Sequence, residues 1–405
     1  KKNYPEFNFI PIYWMASEDN DFDEVNHVHL FGKKLTWNQN QKGGVGAIPT
    51  NTLTPLLEEL KVVLGNSEEA TTLYTLLSNT YLNNNDLASA TRSLVNNLFS
   101  KYGLVILDSN TASLKREAIS LIKTDVLKQE NYPLIEQTNK QLPKAQAYVR
   151  PINFFYQLKG TRNRIEFIGQ NYVIVNTALT FTKAALEIEI ENYPERFSPN
   201  VLLRPLYKEL ILPNLAMIGG GAEVSYWMQL KSTFLANKIV FPILFLRNSA
   251  LIIDAKTASK LNNLGISSQN LFEQEHALHK LYVSKNTERK ISVSDELLQT
   301  EKLFTKLIAN TEDKSLQKSI LSDKHKQINI LKKIEQKLIK SEKQKHQVKL
   351  AQISQIKNKL FPSNTLQERY DNIIPFYLQY GTAFIDSLKS ELQPFNSNFT
   401  VITKE

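Results

Sequence analysis

The chain has 405 residues, 42% of them apolar and 22% charged, with no cysteine and a net charge of +9. That length suits two or three domains and the composition is globular. The absence of cysteine excludes a disulfide framework, cysteine-ligated zinc and a thiol nucleophile, and fits a reducing, cytoplasmic setting.

The charge invites a nucleic-acid reading, but its location argues against one. Lys324 to Lys349 holds nine Lys and two Glu, with no Arg and no aromatic residue. That is the composition of a solvated helix face rather than of a surface that stacks bases. No apolar run approaches the ~20 residues of a spanning helix. Neither a nucleic-acid nor a membrane partner is expected.

Lys1 to Pro5 lacks an initiator Met and an apolar signal region, and opens just ahead of a strand, so a segment upstream is expected. Phe7–Trp14 and Leu104–Asp108 read as short apolar strands, with helical patterns over roughly 53–101 and 111–128. This alternation predicts an α/β core with a parallel, doubly wound sheet. Asn153–Leu158, Arg164–Ile168 and Tyr172–Val175 read instead as an antiparallel meander with turns at Gly160 and Gly169, inserted between two halves of the core. The second half resumes at Val201 and includes Ile239–Leu246, expected as a buried strand.

Between Gly265 and Pro362 there is neither Gly nor Pro. Ser294 is a candidate N-cap with Asp295 and Glu296 behind it, and Asn310–Asp313 is a polar break. Apolar residues spaced by three, four and seven, among them Leu331, Ile334, Leu338, Ile353 and Leu360, predict a long antiparallel helical hairpin, with a dimer as its use. Leu366, Tyr370, Ile373, Tyr377, Tyr380, Phe384 and Leu388 then form a helical face expected to pack back on the body. The expected division is therefore 1–130 and 198–265 for the core, 131–197 for the β insertion, 266–362 for the coiled coil and 363–405 for the C-terminal helical segment.

Two constellations can carry chemistry. The first is Ser17-Glu18-Asp19-Asn20-Asp21-Phe22-Asp23-Glu24, directly after a strand, where open α/β sheets bind ligands. Its carboxylates can hold an amine, a ribose or Mg²⁺, or supply a general base. It fails as a calcium loop, because Glu24 stands at the turn-Gly position and Leu30 at the bidentate Glu position. A solvated, helix-capping loop is the alternative. Asn26, His27 and His29 follow, with the two rings on one face of a strand, and each histidine alone can equally be a hydrogen-bonded structural residue. No third metal ligand is near, and no tightly bound metal is expected.

The second constellation runs from Leu212 to Glu223 through Asn214 and Gly219-Gly220-Gly221. A strand entering a Gly turn and then a helix can turn backbone N–H groups toward a phosphate or carboxylate, or simply be a tight turn. It is neither a Walker A loop nor Gly-x-Gly-x-x-Gly. Arg204 can fork onto an anion, while Tyr226 and Trp227 can wall a pocket or be core. Gly43-Gly44-x-Gly46 is expected to be a mobile loop.

At these residues the chain resembles the bacillithiol biosynthesis cysteine-adding enzymes, a family of cysteine ligases. The matching blocks are Ile12 to Asn26, Phe197 to Pro205, Leu212 to Ala216, Ile218 to Gly221, Glu223, Tyr226-Trp227 and Arg247 to Ser249. The resemblance implies a Rossmann-like core akin to nucleotidyltransferases and class I synthetases, with an inserted connecting-peptide β domain and a coiled coil for homodimerisation. It implies addition of cysteine to glucosaminyl-malate, with ATP or ADP as the activating nucleotide. It also implies an upstream segment holding the first core strand, and it departs from the family's pattern at Asn20, where His is expected. On this reading Glu18, Asp19 and Asp21 bind the incoming amines, one of them accepting a proton, and His27 stabilises developing charge. Ser17, Asn26, Arg204, Glu223, Tyr226 and Trp227 contact substrate, Arg204 neutralising malate or phosphate. Asn214 and Gly219–Gly221 receive the nucleotide. The rival readings are a nucleotidyl- or glycosyltransferase on the same core, and a non-catalytic coiled-coil scaffold.

Overall fold

The structure, a computed structural model, describes residues 3–39, 42–287 and 292–404. It divides into two compact units: the chain up to Asn248 together with Asp371–Asn398, and Ser249–Tyr370 together with the segment from Phe399 onward.

The strands of the first unit are β1 (Ile12–Met15), β2 (His27–Leu30), β3 (Lys33–Thr36), β4 (Val105–Asp108), β5 (Phe154–Leu158), β6 (Thr161–Ile168), β7 (Asn171–Ile174), β8 (Thr180–Phe181), β9 (Phe197–Pro199), β10 (Ala216–Gly219) and β11 (Ile243–Leu246). The parallel pairing expected of an α/β core is present as two separate two-stranded sheets, β1 with β4 and β10 with β11. The insertion is a five-stranded antiparallel sheet in the order β8-β7-β6-β5-β9.

Local sequence explains these elements. The helices Glu68–Leu82 and Leu87–Phe99 start at side-chain caps, Ser67 Oγ accepting from Ala70 N–H at 3.1 Å and Asp86 Oδ1 from Ser89 N–H at 2.7 Å. Leu57, Leu60, Leu64, Leu73 and Leu77 recur at three- and four-residue spacing and are buried with Ile374 and Tyr377. A second core joins the inward face of the insertion sheet (Phe154, Tyr156, Ile165, Tyr172, Ile174) to Ile122, Leu206, Tyr207 and Trp227.

Strand lengths differ from the sequence reading where proline intervenes. Pairing of β1 begins at Ile12, after Pro11, and Phe7 and Phe9 are exposed. The strand expected over Ile239–Leu246 is paired only from Ile243, after Pro242, and is not buried: Ile243 is 56% and Leu246 50% exposed. A proline cannot donate to the ladder, and among the described residues β11 pairs with β10 alone.

In the second unit β12 (Ala250–Asp254) pairs in parallel with β13 (Thr400–Lys404). That pairing moves the boundary to residue 249 instead of 265. Helix Glu275–Lys285 packs on Gln347–Leu360 through Leu278, Val283, Ile353 and Ile356. Helices Ser294–Ala309 and Lys314–Lys345 pack on each other across the Asn310–Asp313 break, and Asp313 caps the second by accepting from Ser315 N–H at 2.7 Å. Ser294 is the first residue of its helix, whose cap position is Val293. In place of one C-terminal helical face, three short helices form, Gln367–Tyr370, Ile374–Tyr380 and Ala383–Glu391, because Pro375 opens the second and Gly381 ends it. Residues 371–398 belong to the first unit, while β13 ends in the second. No helix among the described residues is long and apolar enough to cross a membrane.

Candidate active site

The carboxylate loop leaves the carboxyl end of β1, beside the end of its partner β4. Ser17 Oγ donates to Asp108 Oδ1 at the end of β4, and Asn110 N–H donates to the same oxygen at 3.0 Å. The next three side chains of the loop each meet a different cation. Glu18 is wholly buried and its Oε2 lies 2.5 Å from Lys115 Nζ, which is itself buried and also donates to Phe197 O at 3.1 Å. Asp19 takes both terminal nitrogens of Arg204, Nη1 at 2.9 Å. Asn20 Oδ1 accepts from Arg162 Nη1 at 3.2 Å.

Those cations come from distant elements. Lys115 stands in helix Ala112–Glu117, Arg162 on β6 and Arg204 at the start of helix Arg204–Ile211. Burial lowers the Lys115 pKa against the raising pull of Glu18, and nearby Arg204 and Arg162 lower it further. Burial also lowers that of Arg162, whereas for Arg204 the field and hydrogen bonds of Asp19 outweigh burial and raise it. Tyr207 carries the Lys115 ammonium 4.6 Å from its ring centroid and donates to Ser109 O at 2.7 Å.

Asp21 and Glu24 have no side-chain hydrogen bond or ion pair among the described residues. Both line a cavity of about 280 Å³ with Ser17, Asp19, Tyr13 and Thr91. The back of the loop is closed by Gly44–Gly46, which is packed rather than mobile. Val45 N–H donates to Asp19 O at 2.6 Å and Gly46 N–H to Ser17 O at 2.8 Å. A Cβ on Gly46 would come within 2.5 Å of Ser17 Cβ, so only glycine permits this approach.

The second constellation reaches the first only in part. Tyr226 lies in the fields of Glu223, Arg204 and Asp19; burial, first, and Glu223 push its phenol up to about 12. Trp227 is core, 2% exposed and packed with Phe234 and Phe241, so it cannot wall a pocket. Asn214 is committed to Glu209, which accepts from its backbone at 2.8 Å and its side chain at 2.9 Å. The Gly219–Gly221 turn does not fit a nucleotide phosphate as it stands: Glu223 Oε2 accepts from Gly220 N–H at 2.8 Å and puts its own negative charge at the helix start. Arg247 flanks the turn and its N–H donates to Gly219 O at 2.8 Å. Asn26 and His27 bond each other at 2.9 Å, His27 meets His29 edge to face, and neither lines the cavity. No metal-holding group of His, Asp and Glu occurs among the described residues.

Lys115, Arg162, Asp108 and Tyr207 escaped the sequence reading. Lys115 sits in the run Leu-Lys-Arg-Glu, which looks solvated. The signal that could have found them is electrostatic: a carboxylate as deep as Glu18 needs a buried counter-charge.

The N-terminal Rossmann-like domain of the family described as "Bacillithiol biosynthesis BshC" matches residues 1–248, and its C-terminal coiled-coil domain matches residues 250–404. Proteins named "Putative cysteine ligase BshC" from Flavobacterium psychrophilum and Flavobacterium johnsoniae are 41% and 40% identical to the chain. They cover 99% and 100% of it, over 76% and 77% of their own lengths. A protein of the same name from Staphylococcus epidermidis is 26% identical over 92% of the chain and 73% of its own length.

Proposed function

Because the chain belongs to the bacillithiol biosynthesis BshC family, we propose that it is a cytoplasmic cysteine ligase. It would join the carboxyl group of L-cysteine to the amine of glucosaminyl-malate, the last step toward the thiol bacillithiol. One observation carries the placement of the site: Glu18, Asp19 and Asn20 are each held by a cation, whereas Asp21 and Glu24 face the cavity without a side-chain partner among the described residues.

Amide formation requires an activated acyl group, because a free carboxylate is a poor electrophile at neutral pH. With the cysteine carboxyl activated by phosphoryl or adenylyl transfer from a nucleotide, the ammonium proton passes to a base, the freed amine attacks the acyl carbon, and phosphate or a nucleoside monophosphate departs with the C–O electron pair. Asp21 is the carboxylate we place as that base, with Glu24 beside it holding the ammonium form before transfer. Glu18 serves as a buried anchor. Arg204 Nε is buried with no acceptor among the described residues, as is Trp14 Nε1. We assign a carboxylate of the malate group to the exposed part of the Arg204 side chain, which is 18% exposed beside Asp19. No step is routed through the Gly219–Gly221 turn, where Glu223 stands in place of an anion.

We place self-association on the coiled coil. Leu316, Ile330, Ile334 and Leu338 are exposed along one side of helix Lys314–Lys345, a stripe that a second copy's helix would cover. Sedimentation at two concentrations tests this.

The functional test is calorimetric titration with cysteine, glucosaminyl-malate, ATP and ADP in turn, followed by a turnover assay. Cysteine-dependent amide formation that falls at least a hundredfold in Asp21→Asn, without loss of folding, supports the ligase and its base. Release of a nucleotide-linked product indifferent to cysteine replaces it with a transferase. Silence toward all four ligands replaces it with a scaffold.

A further inference from the structure

Asp21 has no side-chain partner of its own among the described residues, so something adjacent must set where its carboxylate points. The residue before it, Asn20, is held from outside the loop by one group, the Arg162 guanidinium. That guanidinium is fixed by the insertion sheet: Nε donates to Ser198 Oγ at 2.9 Å and Nη2 to Pro199 O at 3.0 Å, both on β9. Its plane lies over the Phe155 ring of β5, 4.0 Å from the centroid. Three strands of the insertion thus aim one rigid fork, and its remaining nitrogen is spent on the carboxylate loop. Arg162 also sits in the combined field of Glu18, Asp19 and Asp21.

Resting on the reading of Asp21 as the amine-facing base, we infer that Arg162 is a positioning residue: through Asn20 it transmits the rigidity of the insertion sheet to the carboxylate loop and fixes the direction of Asp21. The insertion is then a working part of the catalytic site, although it contributes no group to the bond-forming step. Lysine cannot replace the arginine here, because a single ammonium cannot reproduce a fork with three separately aimed bonds and a stacking face. A displacement of about 1 Å in a catalytic group costs on the order of a hundredfold in rate.

The test compares Arg162→Lys, Asn20→Ala, their double variant and Asn20→Asp in the cysteine-dependent turnover assay, with thermal unfolding alongside. Arg162→Lys and Asn20→Ala should each lower kcat at least tenfold, with the KM for cysteine within about twofold of wild type and the unfolding midpoint little changed. The double variant should be no slower than the worse single variant, since both cut the same connection. Asn20→Asp, which offers Arg162 a charged acceptor, should retain kcat. Wild-type kcat in Arg162→Lys, losses that multiply in the double variant, or a loss that tracks the unfolding midpoint would each overturn the inference. If wild-type protein shows no cysteine-dependent turnover, the ligase reading fails instead, and amide hydrogen exchange over residues 17–21 decides the clamp. Faster exchange in Arg162→Lys upholds the clamp, and unchanged exchange removes it.

Discussion

Replacing Lys115 with Met tests the foundation of the site. The Lys115 and Glu18 side chains are 1% and 0% exposed, their charged atoms 2.5 Å apart. Methionine fills nearly the same volume, so the main loss is the charge. Among the described residues Glu18 would keep one hydrogen bond, from the Ser109 hydroxyl at 3.4 Å, with Arg162 and Arg204 acting on it only through their fields. Removing one partner of a buried pair costs about 3–5 kcal/mol, while removing both charges is often neutral. Lys115→Met should therefore destabilise the first unit by about that amount. Lys115→Met/Glu18→Gln should recover most of it, short of about 1 kcal/mol for the lost contact with the Tyr207 ring. The assay is urea denaturation followed by tryptophan fluorescence. Trp14, Trp37 and Trp227 are the only tryptophans of the sequence and all lie in the first unit, so the signal reports that unit alone. The midpoint should fall with little change of slope. A single-variant loss below about 1 kcal/mol, or a double variant less stable than the single, would refute the buried-pair argument.

Gly46→Ala should push the carboxylate loop away from its backing, since the new Cβ meets Ser17 Cβ at 2.5 Å and Ser17 O at 2.8 Å. The cost expected from such overpacking is about 1–3 kcal/mol by urea denaturation, with cysteine-dependent turnover falling further than stability does. In the second unit, burial raises the Asp254 pKa, but Lys359 and Thr257 outweigh it and bring the carboxyl down to about 2. A depressed carboxyl adds stability above its unfolded value of 3.8, and that share is lost as pH falls from there toward 2. Circular dichroism should show Lys359→Met lacking this acid-dependent share. Asp125 has the opposite sign: burial raises it to about 6 against hydrogen bonds from Asn153 and Asn131. The folded protein then takes up a proton that the unfolded chain does not, so wild type should gain stability relative to Asp125→Asn as pH falls from 7 toward 4. A flat difference across that range would remove the assignment.

Much of the fold is written locally. The caps at Ser67 and Asp86, the three-and-four spacing of Leu57, Leu60 and Leu64, and the turn at Gly160 each act within a few residues, and the elements formed where those signals stood. Pairing between distant segments is another matter. Thr400–Lys404 is rich in β-branched residues, as a strand is, but nothing local says that it lies beside Ala250–Asp254, and that one ladder decides where the second unit begins and ends. Proline had a readable effect that the apolar run concealed: Ile239–Leu246 looks like a continuous buried strand by hydrophobicity, yet Pro242 delays the ladder to Ile243.

The candidate site divides along the same physical line. Carboxylates crowded into one loop after a strand are visible because they are neighbours in sequence. Which cation holds which carboxylate is not, because Lys115, Arg162 and Arg204 stand 97, 142 and 185 residues from the loop residues they hold, and of the three only Arg204 shows itself in sequence as an anion-binding candidate. This changes the chemistry that the loop can perform. Read from sequence, Glu18, Asp19 and Asp21 are equivalent acids; in the folded protein burial against Lys115 and the fork of Arg204 have committed two of them, and the remaining freedom belongs to Asp21 and Glu24. The Gly43–Gly46 segment differs from the mobile loop expected of it for a related reason: a glycine run signals permissive backbone without saying whether it is used for motion or for close approach. Here Gly46 N–H bonds Ser17 O, leaving no room for a side chain. On the proposed reading, a loop so backed and clamped from three directions in front presents Asp21 and Glu24, which have no side-chain partner among the described residues, with little reorganisation left to pay when a substrate amine arrives, the condition for efficient proton transfer at a preformed site.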